Sequence, residues 1–448
     1  MELSQPAVSD SDRVAPVSIP NWRNFFASSL DNAYFAAILC AAAAIWLTWT
    51  LADVSRLFNE VGFQGGQNDF ACYYTWAYAM RDGINPYTTD LRETALKLGL
   101  AMDPVARADY PPSFILFVEP FTLASFETAY WIWAGLNLAA LVLALLLLFG
   151  SYSRLSAHSV FALTALALFY RPAIEPDLYE GQPHTILLAM LVAASICFRR
   201  RKDFVGGIIL ALAGLLRIFP LFLVGYLIAK RRWRAVFFTA LGLVIGSAAT
   251  MAVIGMPRAL AFGARLTHVA TGDFLAVNHL SGDSRLINID SFVSRLFWQI
   301  ASADPALDWI RRLLALAAQI TLLGLTLRAT AASRPERGHD LFAFALWIVT
   351  AALLSPTAWV HYMVLFLFGF AVLATAAIHG EASSLAIWLG LASFLPMVFL
   401  NLADICIRAL PPLPQHLLRT NLFAVLALLA YASVWRLTTE PPAVGDYA

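Results

Sequence analysis

Long apolar runs separated by short polar punctuation are the dominant pattern of this chain. They fall near residues 33 to 52, 127 to 149, 157 to 172, 183 to 198, 205 to 216, 218 to 229, 234 to 255, 309 to 327, 341 to 354, 360 to 378, 384 to 400 and 421 to 435. Most of these runs are about 14 to 24 residues long, where roughly 20 are needed to span a hydrocarbon core at 1.5 Å per residue. Only helices and closed barrels satisfy the backbone in lipid, and a barrel wall would alternate with period two rather than run continuously apolar. The pattern therefore predicts an all-α, polytopic membrane protein of about 12 transmembrane helices. Polar helices are expected only in the connecting segments.

Composition agrees with that solvent. Hydrophobic residues make up 60% of the 448 and charged ones 13%, with a mean hydropathy of +0.69, far from the soluble average. A net charge of +1 offers nothing to nucleic acid. No CxxC, HExxH or Walker-type glycine loop is present, so the motifs give no sign of a structural zinc, a zinc protease or a phosphate loop. No cofactor is expected, and no acidic or histidine cluster in the sequence demands a divalent metal. Cys40 and Cys197 fall in apolar runs; Cys72 and Cys406 fall in polar segments and can pair only if the fold brings them within about 7 Å.

Charge sets the sidedness. Arg199-Arg200-Arg201-Lys202 and Lys230-Arg231-Arg232-Trp233-Arg234 flank a pair of short apolar runs, and the positive-inside rule places both clusters in the cytoplasm. The about 26 residues between them must then enter and return, turning near Arg217-Ile218-Phe219-Pro220, because each arm is short for a crossing. Counting outward from these anchors leaves both termini cytoplasmic and puts the segments at about 53 to 126 and 256 to 308 outside. Residues 1 to 30 lack the features of a cleaved signal peptide and read as a cytoplasmic tail. A single membrane body follows over 31 to 436, with a second cytoplasmic tail at 437 to 448. The expected location is the plasma (inner) membrane, with the candidate chemistry on the outer, periplasmic face.

The first outer segment holds most of the polar information. Gly65-Gly66-Gln67-Asn68-Asp69-Phe70 passes from a glycine-loosened stretch straight into aromatics. An acid beside a bilayer is costly unless solvated, paired or working, and a carboxylate against an aromatic wall suits abstraction of a hydroxyl proton. The other reading of Asp69 is a solvated helix cap. Phe70 to Arg81 has helical spacing with an aromatic face, Asp82-Gly83-Ile84-Asn85-Pro86-Tyr87 ends it, and Thr89 to Leu100 predicts a second helix. Together they read as an amphipathic pair at the membrane surface, their aromatics serving as an interfacial belt or as ligand contacts. Tyr110-Pro111-Pro112 opens an apolar stretch ending at Glu119-Pro120, which at about ten residues is re-entrant or interfacial rather than spanning.

Taken in order, Asn68-Asp69-Phe70, Tyr73-Tyr74, Gly83-Ile84-Asn85-Pro86-Tyr87, Tyr110-Pro111-Pro112 and Pro120 resemble the opening of the family 87 glycosyltransferases. Gly181-Gln182, Leu215-Leu216-Arg217 with Pro220, and Ser355-Pro356 with Trp359, His361 and Tyr362 extend the similarity over roughly residues 30 to 435. The resemblance implies a membrane enzyme of the GT-C type that takes a hexose, mannose in the family's usual case, from a polyprenyl-phosphate donor to a lipid or glycan acceptor. It also implies that the acid of the first outer loop, here Asp69, is the base. Two positions depart from the family's pattern: Pro183-His184 follows Gln182 where Asn is common, and Arg217 stands where Lys is common.

Such a donor needs a cation for its phosphate and a base for the acceptor. Arg217 at the hairpin turn is the candidate phosphate ligand, since a guanidinium grips phosphate bidentately; its alternative is an ion pair with Glu175 or Asp177. His361 is the candidate assistant to the leaving group, or a structural hydrogen-bonder. Tyr73, Tyr74, Tyr110, Gln182, Trp359 and Tyr362 are candidate substrate contacts. Glu175, Asp177, Glu180, Asp283 and Asp290 remain as further acids. A ligase of lipid-linked glycans fits the same sided site, and a transporter or flippase of lipid-linked sugars fits the helix count. The topology is directly checkable: a reporter fused near residue 90 or 280 should appear outside and one near 202 or 335 inside, and reversed reporters would remove the outer-face site.

Overall fold

The computed structural model describes residues 27–59, 68–100, 108–152, 155–270, 283–297, 308–333 and 339–439. Most of the two expected tails, the glycine-rich Gly65-Gly66-Gln67 and much of the expected second outer segment lie outside the described residues. Those described form helices, joined by turns and one isolated antiparallel bridge between Leu286 and Trp359.

In chain order the α-helices are α1 (Ala33–Leu57), α2 (Asp69–Arg81), α3 (Arg92–Lys97), α4 (Pro112–Val118), α5 (Phe126–Tyr152), α6 (Ala157–Leu168), α7 (Arg171–Glu180), α8 (His184–Arg199), α9 (Asp203–Leu216), α10 (Leu223–Ala229), α11 (Trp233–Ile254) and α12 (Met256–Ala270). They continue as α13 (Ile289–Leu296), α14 (Asp308–Ala332), α15 (His339–Leu354), α16 (Leu367–Ile378), α17 (Ser384–Val398), α18 (Leu400–Arg408) and α19 (Pro412–Thr439). Side-chain caps set several starts: Asn32 accepts from Tyr34 N at 2.9 Å, Ser156 from Ser159 N at 3.2 Å and Ser383 from Ala386 N at 3.2 Å, each satisfying a backbone donor left over in the first turn.

By length and composition, six helices can cross a membrane: Ala33–Leu57, Phe126–Ser151, Trp233–Ile254, Asp308–Ala332, Val360–Ile378 and Pro414–Thr439. Two pairs, α6 with α7 bent by 69° and α17 with α18 bent by 98°, raise the number to eight. The apolar runs number twelve, but the remaining ones form helices of only 10–17 residues, among them α8, α9 and the Phe219–Ala229 segment. The physical reason is length, because roughly 20 helical residues are needed to cross a hydrocarbon core; burial differs even among the six. Only 11% of the Trp233–Ile254 window is buried inside the protein, against 72% of Val360–Ile378.

The hairpin predicted between the basic clusters is present. Arg232 Nη1 donates to Phe198 O at 2.6 Å and to Asp203 Oδ1 at 3.2 Å, so both basic turns sit at the same end of the bundle. Lys230 is fixed there by Asp340 at 2.8 Å and by Ser333 Oγ at 2.6 Å. From that end α9 rises about 21 Å to Leu216, Arg217 turns the chain in extended conformation (φ −147°, ψ 138°), and the 3-10 turn Phe219–Phe222 leads into α10. The two cationic turns and Arg217 thus lie at opposite ends of the same short helices.

The segment expected to lie outside as a surface-lying pair departs from that reading. Phe70, Ala71, Tyr73, Tyr74, Trp76, Ala77, Ala79 and Met80 are buried, because α2 packs against α4 and the following 3-10 segment Glu119–Leu123. The second helix shrinks to the six residues of α3. Short α4 is held to α9 and α11, with Ser113 Oγ donating to Leu215 O at 2.5 Å. In the polar segment that follows α12, Arg295 donates to Asp283 O, Leu286 O and Asn421 Oδ1 at 2.7, 2.9 and 2.9 Å. Those bonds hold Leu286 and Ile287 beside Ala358 and Trp359, where Ile287 N donates to Ala358 O at 2.9 Å. Cys72 and Cys406 do not form a disulfide.

Candidate active site

Asp69 is not the cap of α2. That role belongs to Asn68, whose Oδ1 accepts from Ala71 N at 2.9 Å, leaving the Asp69 carboxylate turned toward α7. The Asp69 backbone N–H donates to Glu180 Oε2 at 3.3 Å, and its Oδ2 accepts from Gln182 Nε2.

The Gly181-Gln182 pair explains how that contact is made. Gly181 ends α7 in the left-handed region (φ 67°), and a Cβ there would come 2.5 Å from Phe70 Cβ; only glycine meets both conditions without strain. Trp133 Nε1 donates to Gly181 O at 2.8 Å, and Gln182 N donates to Asp177 O at 2.8 Å. The turn therefore drives the Gln182 side chain, 1% exposed, between an acid and a cation. Its Oε1 accepts from Arg217 Nη2 at 3.0 Å and from Tyr110 Oη at 2.9 Å. Chemistry dictates the amide's orientation, because a carboxylate only accepts and a guanidinium only donates. Tyr110 spends its single proton on Gln182, so its oxygen accepts from the Tyr73 hydroxyl.

Arg217 sits over the Tyr110 ring at 3.8 Å and 5.8 Å from the Tyr362 centroid, and its Nε is buried without a partner. Neither expected carboxylate reaches it. Glu175 pairs with Arg171 at 2.6 Å, and Asp177 lies 2.7 Å from His184 Nδ1. Among the described residues Arg217 makes no ion pair, a costly state for a half-buried cation whose Nε is shut away from solvent.

Around Tyr362, which is 1% exposed, the histidines gather. His184 lies 4.2 Å and His361 5.7 Å from its centroid, and the two imidazoles stack at 5.0 Å. Tyr74, by contrast, donates to Ala124 O at 2.8 Å and packs edge-on to Phe126, so it belongs to the wall behind the cluster. Trp359 is half-buried at the rim, with the Arg285 guanidinium 5.2 Å from its ring. Of the further candidate acids, Asp283 pairs with Arg285 at 2.9 Å and Asp290 with Arg311 at 3.3 Å. Sequence reasoning did not find Arg285, Asp109 or a use for His184. The only signal for the last was the His following Gly181-Gln182-Pro183.

Burial pushes the Asp69 carboxyl up to about 6, against the opposing pull of Arg217 and of the Gln182 hydrogen bond. Asp109, held by Arg265 at 2.5 Å, is likewise raised by burial. No group of three or more His, Cys, Asp and Glu side chains converges among the described residues.

A helical bundle with several candidate membrane spans, a partly buried acid and an unpaired arginine joined through one amide is the frame of a membrane enzyme. Residues 109–356, more than half of the chain, match the family model of glycosyltransferase family 87, and the chain belongs to that family. The matched segment holds Tyr110, Gln182 and Arg217; Asp69, Trp359, His361 and Tyr362 lie outside it. The search of curated proteins found no match. The electrostatics give a direct expectation: in infrared difference titration of the purified protein, a carboxyl C=O band should vanish with a midpoint near pH 6 and be missing from Asp69→Asn. Titration of that band near pH 4 would mean that Asp69 is solvated rather than buried.

Proposed function

We propose that this protein transfers a hexose, with mannose the first candidate from the family resemblance, from a polyprenyl-phosphate donor to a lipid or glycan acceptor at the outer face of the membrane. The reading rests above all on Gln182, whose amide joins Asp69 to Arg217 and so spaces a base from a phosphate ligand by one side chain. In the scheme, Asp69 removes the acceptor hydroxyl proton as that oxygen attacks the anomeric carbon. The bond from that carbon to the phosphate oxygen breaks, and its electron pair leaves with the polyprenyl phosphate. Configuration inverts in this single displacement. Arg217 and His361 stabilise the charge on the departing group. Phosphate is already a good leaving group, so no second carboxylate is required as general acid, unlike in the hydrolases. A carboxyl raised to about 6 suits the base, which is most effective when its pKa lies near working pH.

Purified protein incubated with a panel of polyprenyl-phosphate sugars and membrane extract, scored for lipid-phosphate release and acceptor labelling, tests the reading. Transfer of whole glycans instead of single sugars would favour the ligase, and sugar movement without bond cleavage the flippase. Asp69→Asn, in a variant shown to fold and bind donor, should lose roughly 10² to 10⁴ in turnover, the usual worth of a general base. Arg217→Ala should chiefly weaken donor binding, with Arg217→Lys intermediate because the charge survives without the fork. Near-normal turnover in Asp69→Asn would remove Asp69 from the mechanism.

A further inference from the structure

The scheme above leaves a buried pair unused. His184 and Asp177 are each 0% exposed, with Nδ1 and Oδ1 2.7 Å apart. His184 opens α8 and Asp177 sits in the last turn of α7, so the tight Gly181 turn between these helices brings them together. A pair serving only the core would be expected to have its remaining polar atoms satisfied. Here His184 Nε2 and Asp177 Oδ2 are both buried without a partner, as are His361 Nε2 and Arg217 Nε.

Counting protons on the pair shows what His184 presents. Burial disfavours net charge, so the pair holds two protons' worth of sites in one of two neutral arrangements: carboxylate with imidazolium, or carboxylic acid with neutral imidazole. In the first, both ring nitrogens carry hydrogen. In the second, the acid proton faces Nδ1 and the ring hydrogen is on Nε2. In both arrangements Nε2 carries a hydrogen that no acceptor among the described residues takes; a neutral imidazole holding its hydrogen on Nδ1 against a carboxylate presents a lone pair at Nε2 instead, and an anion bound at Nε2 selects the forms that donate. Arg217 adds a second unspent donor at Nε and a positive charge with no carboxylate within ion-pair distance among the described residues. Both groups flank Tyr362, His184 at 4.2 Å and Arg217 at 5.8 Å. The complement to two donors and an uncompensated positive charge is a small anion with several acceptor oxygens.

The geometry points to His184 as a second ligand of the donor's phosphate, donating from Nε2, with Asp177 as the residue that positions its ring. This rests on the polyprenyl-phosphate reading of the preceding subsection and adds to it a residue at which the chain departs from its family's usual Asn. The departure supplies the test, because the two amides mimic different imidazole nitrogens. An Asn side chain reaches only the place of Nδ1 and can satisfy Asp177 alone, whereas a Gln side chain places its NH₂ where Nε2 stood.

Binding of farnesyl phosphate and of uncharged farnesol to the full-length protein in lipid nanodiscs, with thermal melting alongside, separates the cases. Wild type should prefer the phosphate. In His184→Asn that preference should fall at least tenfold while farnesol affinity is unchanged, and in His184→Gln it should remain within about threefold of wild type. Undiminished preference in His184→Asn overturns the assignment while leaving the phosphate reading intact. Equal loss in both variants with lowered melting also overturns it, making His184 a packing residue. A wild type with no preference for the phosphate overturns both this inference and the donor reading on which it depends.

Discussion

One amide ties together the buried polar groups on which the proposed chemistry depends. Gln182 gives its N–H to the Asp69 carboxylate and receives the Arg217 guanidinium and the Tyr110 hydroxyl on its oxygen. An acid and a cation in direct contact would neutralise one another, and the arginine's donors would be spent. Separated by a neutral amide, each keeps one face for a ligand while the amide fixes the distance between them. In a low-dielectric interior each charge still feels the other, and Arg217 is among the influences that hold the buried Asp69 carboxyl down.

The surrounding fold reads as support for that amide. Gly181 must be glycine for its backbone and for its closeness to Phe70, and Trp133 anchors its carbonyl. Tyr73, Tyr110 and Phe114 pack tilted or edge-to-face behind the polar line with centroids 4.6 to 5.0 Å apart, excluding water from one side. Helix α9 is too short to span a bilayer, and that shortness carries Arg217 into the interior of the protein. Family membership rests on residues 109–356, which include the amide and the cation but not Asp69 or His361. The fold brings these two sets of residues together, the acid from before the matched segment and the histidine from after it.

The sequence revealed some of this and concealed the rest for definite reasons. The helical class, the helix at 70 to 81 and the break at Arg217 were legible because apolar continuity, aromatic spacing and paired basic clusters are local signals. The number of spans was not, since several of the apolar runs, among them α8, α9 and the Phe219–Ala229 segment, form helices of only 10–17 residues, short of the roughly 20 that cross a bilayer. Nor was the burial of α2, whose aromatics read equally well as an interfacial belt. Arg217 was recognised from its place at a turn. That Glu175 and Asp177 are occupied by Arg171 and His184 is tertiary information that no spacing encodes. Gln182 was noticed only as half of a two-residue motif, and its partners Asp69, Tyr110 and Arg217 are 113, 72 and 35 residues away.

The most direct test of this account is the pH dependence of single-turnover glycosyl transfer in Gln182→Leu, which keeps the bulk of the side chain and removes all three of its polar contacts. The Gln182 hydrogen bond lowers the Asp69 pKa against burial, so its loss raises that pKa, and a base that must be ionised then works only at higher pH. The account predicts a rate that rises through about pH 6 in wild type, and in the folded variant a reduced rate whose rise is displaced to higher pH. Wild-type rate and an unmoved pH profile in Gln182→Leu would contradict it.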